Sequence, residues 1–378
     1  MNASKIIRNI VPGLREIPEL IRYEYRHLSL SAADSMGFLT YRCTSRCKTC
    51  NIWKRNSEQP QELGRDEWLT ILARLKDHGI RSFEIFGGDA LLRKDAVFDM
   101  IQYCAKNGIR TYFPTNGNLC DKETIRTLIE YGLHTVYLSI DDVGTKHDGI
   151  RGIDGTFQKI TDALENFIDI RGSRTYPKII ICNTLSNMNY RDFPQIIRFL
   201  EQYHIDAVYP RFLGEFSQEN INLSKINGVQ PEPYFVSSED ASHLLNREQL
   251  VEFKELIKQT KKHHQKIYVN FRALDVTSEQ TFLSGLYDYK HCHIATTFVT
   301  LNPNGDVVPC PFYRSYVIGN LLKTDLDKIW GNERHRQFVS LQQKKKIAIC
   351  NNCNMRVYYP SMLETLKYYY RRAKESIF

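Results

Sequence analysis

Ten cysteines stand in this chain of 378 residues, and seven of them fall into two groups. The first group is Cys43-Thr-Ser-Arg-Cys47-Lys-Thr-Cys50. Its Cx3Cx2C spacing matches neither the paired CxxC of a zinc ribbon nor a thioredoxin motif. Thiolates are soft ligands that select zinc, copper(I) or iron-sulfur clusters, and three on one loop can hold a 4Fe-4S cluster whose fourth iron stays open to an external ligand. A zinc site completed by a distant His or Cys is the alternative for the same residues. The second group is Cys292, Cys310, Cys350 and Cys353, a closed set of four. Cys104, Cys120 and Cys182 are left over and read as small core residues.

Further polar groups follow short apolar runs. Gly87-Gly88-Asp89 joins two glycines, which let a backbone approach a ligand closely, to a carboxylate able to accept hydrogen bonds from an ammonium group. Arg151, in His147-Asp-Gly-Ile-Arg151-Gly, offers a planar fork matched to a carboxylate. Asn116, Ser139 and Asn183 end three other runs and can bind polar ligand atoms. Arg211, Glu215 and Arg272 are candidate substrate contacts by the same placement.

The elements that position them alternate β-like and amphipathic stretches, the pattern of βα units feeding a parallel sheet. The expected strands are 37–41, 82–86, 110–113, 135–140, 178–182 and 207–211; the expected helices are 67–78, 95–107, 122–131, 157–170 and 193–203. Six strands with five helices predict an α/β fold, an open partial (β/α)6 TIM-like barrel, in which chemistry sits at the C-terminal ends of the strands. Around this core at 35–213 the chain divides into an amphipathic basic segment at 1–34, a connecting region at 214–288, a small cysteine-bearing unit at 289–358 and a C-terminal helix at 359–378. The polar stretch 214–242 is long enough for a lid near the substrate. A helix at 247–264 and a strand at 267–271 follow it. Within the small unit, Asn304-Gly305 predicts a type I' turn between two short strands that brings Cys292 and Cys310 to one end of a hairpin.

Composition sets bounds on the rest. With 42% apolar and 25% charged residues the chain is globular, and its formal net charge of +8 is too modest and dispersed to suggest nucleic-acid binding. Charges at Lys5, Arg8, Arg15 and Glu16 break any signal-peptide h-region, and no run approaches the roughly 20 apolar residues of a membrane span. A cytoplasmic protein is expected, and the basic amphipathic ends leave room for a peripheral contact at the inner membrane face.

The Cx3Cx2C loop after the first strand of a partial barrel resembles the radical S-adenosylmethionine (radical SAM) superfamily. Gly87-Gly88-Asp89 is similar to the family's GGE motif, with Asp for Glu; Ser139-Ile-Asp141 and His147 to Gly152 resemble its SxD and HDxxRG segments. Thr49 and Ala90 depart from the aromatic and the proline usual at those positions, and Tyr41 or Trp53 is available to pack over the cluster instead. The resemblance implies a cluster on Cys43, Cys47 and Cys50. It also implies S-adenosylmethionine held by Gly87, Gly88, Asp89, Asn116, Ser139, Arg151 and Asn183, and an electron donor such as flavodoxin or ferredoxin. Cx12Gx4C followed by Cx2C resembles the twitch domain, a shortened SPASM domain, and implies one auxiliary 4Fe-4S cluster on Cys292, Cys310, Cys350 and Cys353. The implied activity is hydrogen abstraction from a C-H bond of a peptide, sugar, nucleoside or lipid. A zinc-binding scaffold or a non-catalytic iron-sulfur electron-transfer protein is the alternative.

Overall fold

The computed structural model describes residues 32–58, 61–235, 242–263, 266–287 and 292–353, with positions 363, 367 and 370 beyond them. Six strands form the barrel: β1 (Asp34–Phe38), β2 (Ser82–Phe86), β3 (Arg110–Thr115), β4 (Thr135–Ser139), β5 (Lys178–Leu185) and β6 (Ala207–Phe212). Between them run α1 (Arg65–Asp77), α2 (Lys94–Lys106), α3 (Lys122–Glu130), α4 (Thr145–Arg151), α5 (Thr156–Arg171) and α6 (Phe193–Leu200). All neighbours from β1 to β6 pair in parallel. β6 is the end strand of the sheet, so the barrel is open, as a partial TIM-like barrel should be.

Alternation along the strands explains how the layers assemble. Side chains on a strand point to opposite faces in turn. Phe83, Ile85, Phe113, Val136, Leu138, Ile179, Ile181 and Val208 are fully buried on the outer face, in the same core as Trp68, Ile71, Leu72 and Leu75 of α1. Those four positions of α1 recur at helical spacing, which gives the helix one apolar stripe to lay on the sheet. Burying each such side chain contributes about 2 kcal/mol.

Three departures from the sequence reading have physical causes. β1 begins and ends three residues early. Its polar start is buried all the same, because Ser82 donates to Asp34 (2.6 Å) and Ser35 donates to the Ser82 carbonyl (2.9 Å). Its expected end turns out of the sheet, where the Thr40 and Arg42 carbonyls accept from the Gly88 and Asp89 N–H groups. The expected strand at 267–271 is a single bridge from Val269 to Val208 on the edge of β6.

The cysteine-bearing unit does not stand apart from the barrel. β7 (Phe298–Leu301) pairs in parallel with the free edge of β1, and β8 (Asp306–Val308) and β9 (Gly319–Asn320) continue the sheet antiparallel. The turn between β7 and β8 is not type I'. Asn304 keeps a negative φ, Gly305 N–H donates to the Asn302 carbonyl (3.0 Å), and Gly305 itself takes φ 80°. Pro303, whose ring fixes a negative φ, sits at the centre of this longer loop and selects it over the two-residue turn. The amphipathic segment expected at the N-terminus lies outside the described residues up to position 31, and the expected C-terminal helix lies outside them except at three positions. Among the described residues no helix is long and apolar enough to cross a membrane.

Candidate active site and cluster pockets

The loop from Cys43 to Cys50 leaves β1 and is fastened on two sides by backbone contacts that only glycine permits. A Cβ on Gly88 would lie 2.1 Å from the Arg42 carbonyl oxygen, and one on Gly152 would lie 2.2 Å from that of Arg46. Gly88 and Asp89 N–H groups donate to Thr40 and Arg42 carbonyls; the Arg46 and Lys48 N–H groups donate to Arg151 and Ile150 carbonyls. The glycine pair therefore serves the cysteine loop at least as much as any ligand. Side chains complete the fastening. Asn56 bonds the Cys43 backbone at both N–H (2.9 Å) and carbonyl (3.1 Å), and Trp53 Nε1 donates to the Cys47 carbonyl (3.2 Å).

Cys43, Cys47 and Cys50 line one cleft together with Gly87, Gly88, Asn116, Ser139 and Arg151. The cleft encloses about 660 Å³ of empty space, part of it open to solvent. Arg151 is the charged group of this wall: Nη2 pairs with Asp141 Oδ2 at 2.8 Å, Nη1 lies 3.9 Å from Cys47 Sγ, and Nε is buried with no hydrogen-bond partner. Asp141 is 1% exposed, and burial pushes its carboxyl up while Arg151 pulls it back. Of the His147 to Gly152 segment only Arg151 reaches the cleft. His147 Nδ1 accepts from the Asp141 N–H (3.2 Å), and burial, with Arg151 nearby, drives its pKa down to about 3, so this ring is a neutral acceptor. Asp148 takes the Phe157 N–H (2.7 Å) and Gly155 N–H (2.8 Å) at the start of α5.

Two residues expected to touch a cofactor face elsewhere. Asn183 is 1% exposed and donates to the Ile140 (2.9 Å) and Asp141 (3.2 Å) carbonyls, so it pins the end of β4. Asp89 is buried behind the cysteine loop, accepting from Thr44 Oγ1 (2.5 Å) and the Leu91 N–H (3.2 Å). Thr44 is in turn held by Asn116 (3.1 Å) and Asn118 (3.1 Å). This network, invisible in sequence because its members are common polar residues, orients the loop between the first two cysteines. Of the two aromatics proposed to pack on the cluster, Trp53 lines the cleft. Tyr41 packs in one apolar cluster with Cys43, Cys50 and Trp53, its ring held between the Arg55 and Arg314 guanidinium groups at 5.3 and 5.4 Å.

Sequence reasoning missed Tyr234. Its ring joins Phe86 in the cleft wall and meets Phe312, of the second pocket, edge to face at 5.0 Å. It belongs to the stretch read as a lid. The described part of that stretch is docked rather than free: Glu232 N–H donates to the Phe312 carbonyl (2.7 Å), and Ser224 Oγ accepts from the Ile349 N–H (2.8 Å). Glu215, expected near substrate, accepts from Ser242 (3.1 Å) and is 2% exposed, while Arg272 opens a short helix and does not line the cleft.

Cys292, Cys310, Cys350 and Cys353 line a second pocket with Phe312, Tyr313 and Phe338, about 430 Å³ of empty space that is partly open to solvent. Burial pushes the Cys310 thiol up, and the other three cysteines add to that rise, which shows how closely the four are gathered. Among the described residues no three His, Cys, Asp or Glu side chains converge to hold one metal ion. A cubane takes each thiolate on a different iron, and three cysteines in the first pocket and four in the second supply soft thiolate sets of that kind.

Comparison with known proteins agrees with this geometry. Residues 38–200 match the profile of the radical SAM superfamily, and residues 292–354 match that of an iron-sulfur cluster-binding domain, SPASM. The chain is 24% identical over 341 residues to the tungsten-containing aldehyde ferredoxin oxidoreductase cofactor-modifying protein of Pyrococcus furiosus, covering 84% of this chain and 86% of that one. It is 29% identical over 170 residues to Fe-coproporphyrin III synthase of Methanosarcina barkeri, 45% of this chain and 41% of that protein. Streptococcus suis SuiB bound to S-adenosylmethionine shares the fold with a TM-score of 0.61 at 18% identity, covering 92% of this chain and 78% of that one. The first domain implies a 4Fe-4S cluster and S-adenosylmethionine, and the second implies auxiliary iron-sulfur binding. Two separate profiles thus land on the two cysteine pockets, and the chain belongs to the radical SAM superfamily, with a SPASM domain following its barrel.

Proposed function

We propose that this enzyme cleaves S-adenosylmethionine reductively at the cluster on Cys43, Cys47 and Cys50 and takes a hydrogen atom from a C-H bond of an organic substrate held at the barrel mouth. The observation that carries the reading is the single cleft that unites three cysteines, a glycine-backed loop and a buried arginine whose Nε has no partner. S-adenosylmethionine, when bound there, supplies the carbon-centred radical. Arg151 is placed to hold its carboxylate, with Asn116, Ser139 and the Gly87-Gly88 backbone along the same wall. Phe86, Pro114 and Tyr234 restrict water.

Cys292, Cys310, Cys350 and Cys353 hold an auxiliary 4Fe-4S cluster in this reading, which assists electron transfer in an oxidation or cross-linking reaction. Flavodoxin or ferredoxin supplies the reducing electron, and the protein works in the cytoplasm. Related enzymes modify cofactors and peptides, which keeps both substrate types open beside sugars, nucleosides and lipids. Anaerobic reconstitution with iron and sulfide, reduction in the presence of S-adenosylmethionine, and chromatography of 5'-deoxyadenosine test the proposal. Product should form and should vanish in Cys50→Ala. No product from protein with both clusters filled refutes it.

A further inference from the structure

Away from β1, whose Met36 and Phe38 are buried in an apolar cluster, the inner face of the barrel is not an aliphatic core. On β2 to β6 every outward residue between the ends is buried, whereas the inward set Glu84, Phe86, Tyr112, Pro114, Tyr137, Ser139, Cys182 and Tyr209 is only partly covered, and Arg211 is exposed. A filled barrel carries layers of bulky branched side chains at these positions. Here Ile180 is the one buried branched side chain among them, the others are aromatic, charged or small, and together they line a bowl that water reaches.

The bowl is continuous with the cleft. Phe86, Pro114 and Ser139 line the cleft, and Glu84, Tyr112 and Tyr137 lie two residues earlier on the same strands. They therefore form the next layer down, about 7 Å below on the same face. Glu84 is register partner to Tyr112 across β2 and β3, and Cys182 to Tyr209 across β5 and β6. Burial pushes the Glu84 carboxyl up to about 7, with Arg211 pulling it back, so the two charges sense each other across the bowl. Cys182 feels Arg211 and Glu84 as well as Asp141 and Arg151 of the cleft wall. The Tyr112 and Tyr137 rings stand nearly parallel, 19° apart with centroids at 6.2 Å. No part of S-adenosylmethionine binding, as read above, uses this layer.

We propose that Glu84 and Arg211 form the substrate-reading pair of the enzyme, and that the substrate is a phosphorylated sugar or nucleotide sugar. A guanidinium fork matches phosphate oxygens. A carboxylate accepts hydrogen bonds from sugar hydroxyls, and tyrosine rings offer amphipathic faces against a pyranose. An acidic group on β2 and a basic group on β6, close enough to feel each other, suit a ligand that carries hydroxyl donors at one end and an anion at the other. This rests on the radical SAM reading for what sits above the bowl; binding in the bowl needs no turnover.

The test is calorimetric titration of the reconstituted, unreduced protein with glucose 6-phosphate, uridine diphosphate glucose, glucose, inorganic phosphate and a lysine-containing tripeptide. At least one of the two phosphorylated sugars should bind at least ~10-fold more tightly than glucose or phosphate alone. Glu84→Gln and Arg211→Gln, both near-isosteric, should each weaken it by about 10-fold or more while thermal melting shows both folded. Failure of both phosphorylated sugars to exceed inorganic phosphate overturns the proposal, as does binding that ignores both substitutions. Tripeptide binding that depends on Glu84 and Arg211 overturns the sugar class. 5'-Deoxyadenosine formation by the unaltered protein, measured separately, tells this failure from failure of the radical SAM reading.

Discussion

Gly88→Ala should dismantle the radical-cluster loop while sparing the second cluster. The added Cβ would stand 2.1 Å from the Arg42 carbonyl oxygen and 2.6 Å from its carbon, against an ordinary contact beyond 3.4 Å. Both atoms are backbone, so the loop must move by more than 1 Å. That movement breaks the Gly88 to Thr40 (3.0 Å) and Asp89 to Arg42 (2.8 Å) hydrogen bonds. At about 1 kcal/mol for each bond and roughly 1–3 kcal/mol for overpacking, the expected loss is ~3–5 kcal/mol. Cys43 is the next residue after Arg42 and shares the displacement. Guanidinium denaturation should show the stability loss, and iron and sulfide analysis after reconstitution should fall by one cluster's worth. Gly149→Ala is the control, because nothing lies within 4 Å of its added Cβ inside α4, and alanine there should be neutral or up to about 1 kcal/mol stabilising. Full iron content with a loss below ~1 kcal/mol in Gly88→Ala would refute the claim that glycine is required by the cysteine loop.

Two other perturbations read the charged groups. Arg151→Met should weaken S-adenosylmethionine binding by about 100-fold in equilibrium dialysis, since a charged fork is lost. It should also destabilise the fold by ~3 kcal/mol, because Asp141 is left buried without its counter-charge; unchanged cofactor binding would remove Arg151 from the site. Glu84 holds its proton more tightly folded, at about 7, than its ordinary value of 4.5. Stability of the unaltered protein should therefore fall, relative to Glu84→Gln, as pH rises from about 4.5 to about 7. Arg211, Tyr112, Tyr137, Tyr209 and Cys182 are the groups that share the bowl. The difference should reach at most about 3 kcal/mol, water in the bowl taking it lower, and a pH-independent difference in urea midpoints would contradict the placement of Glu84.

The sequence disclosed the two cysteine groups and the βα alternation because both are local patterns. Cys43, Cys47 and Cys50 announce themselves by spacing, and Val136 and Leu138 by period. What it hid depends on contacts between distant segments. Asp89 reads as a ligand group because it follows two glycines, and in the fold its carboxylate also accepts from Thr44 and the Leu91 N–H, with Asn116 beside it. The sequence sets Asn183 at a strand end like Ser139, yet β5 runs on to Leu185, and Asn183 faces the neighbouring strand's carbonyls while Ser139 faces the cleft. The shift of one residue along a strand decides between those fates. Tyr234 carries no motif; its place follows from docking of the 214–235 segment against the second pocket, which no local rule predicts. Glu84 was equally silent, since a lone acidic residue in a strand reads as an exposed face until the open barrel is built around it.

The parallel pairing of β7 with β1 joins the first strand of the barrel to one synthesised much later, Asp34 being set against Phe298. On a ribosome adding about 5–20 residues per second, roughly 260 residues take on the order of tens of seconds to emerge. Throughout that time β1 presents an unpaired edge, beside a loop of three reduced thiols that has not yet met the hairpin beyond it. Such an edge is a template for pairing with another chain. Slow growth at low temperature, or co-expression of chaperones that shield strand edges, should therefore raise soluble yield more than any change to the surface. Truncation just before β7 leaves that edge open permanently, so the shortened chain should aggregate even though every residue of the first cysteine pocket would be present.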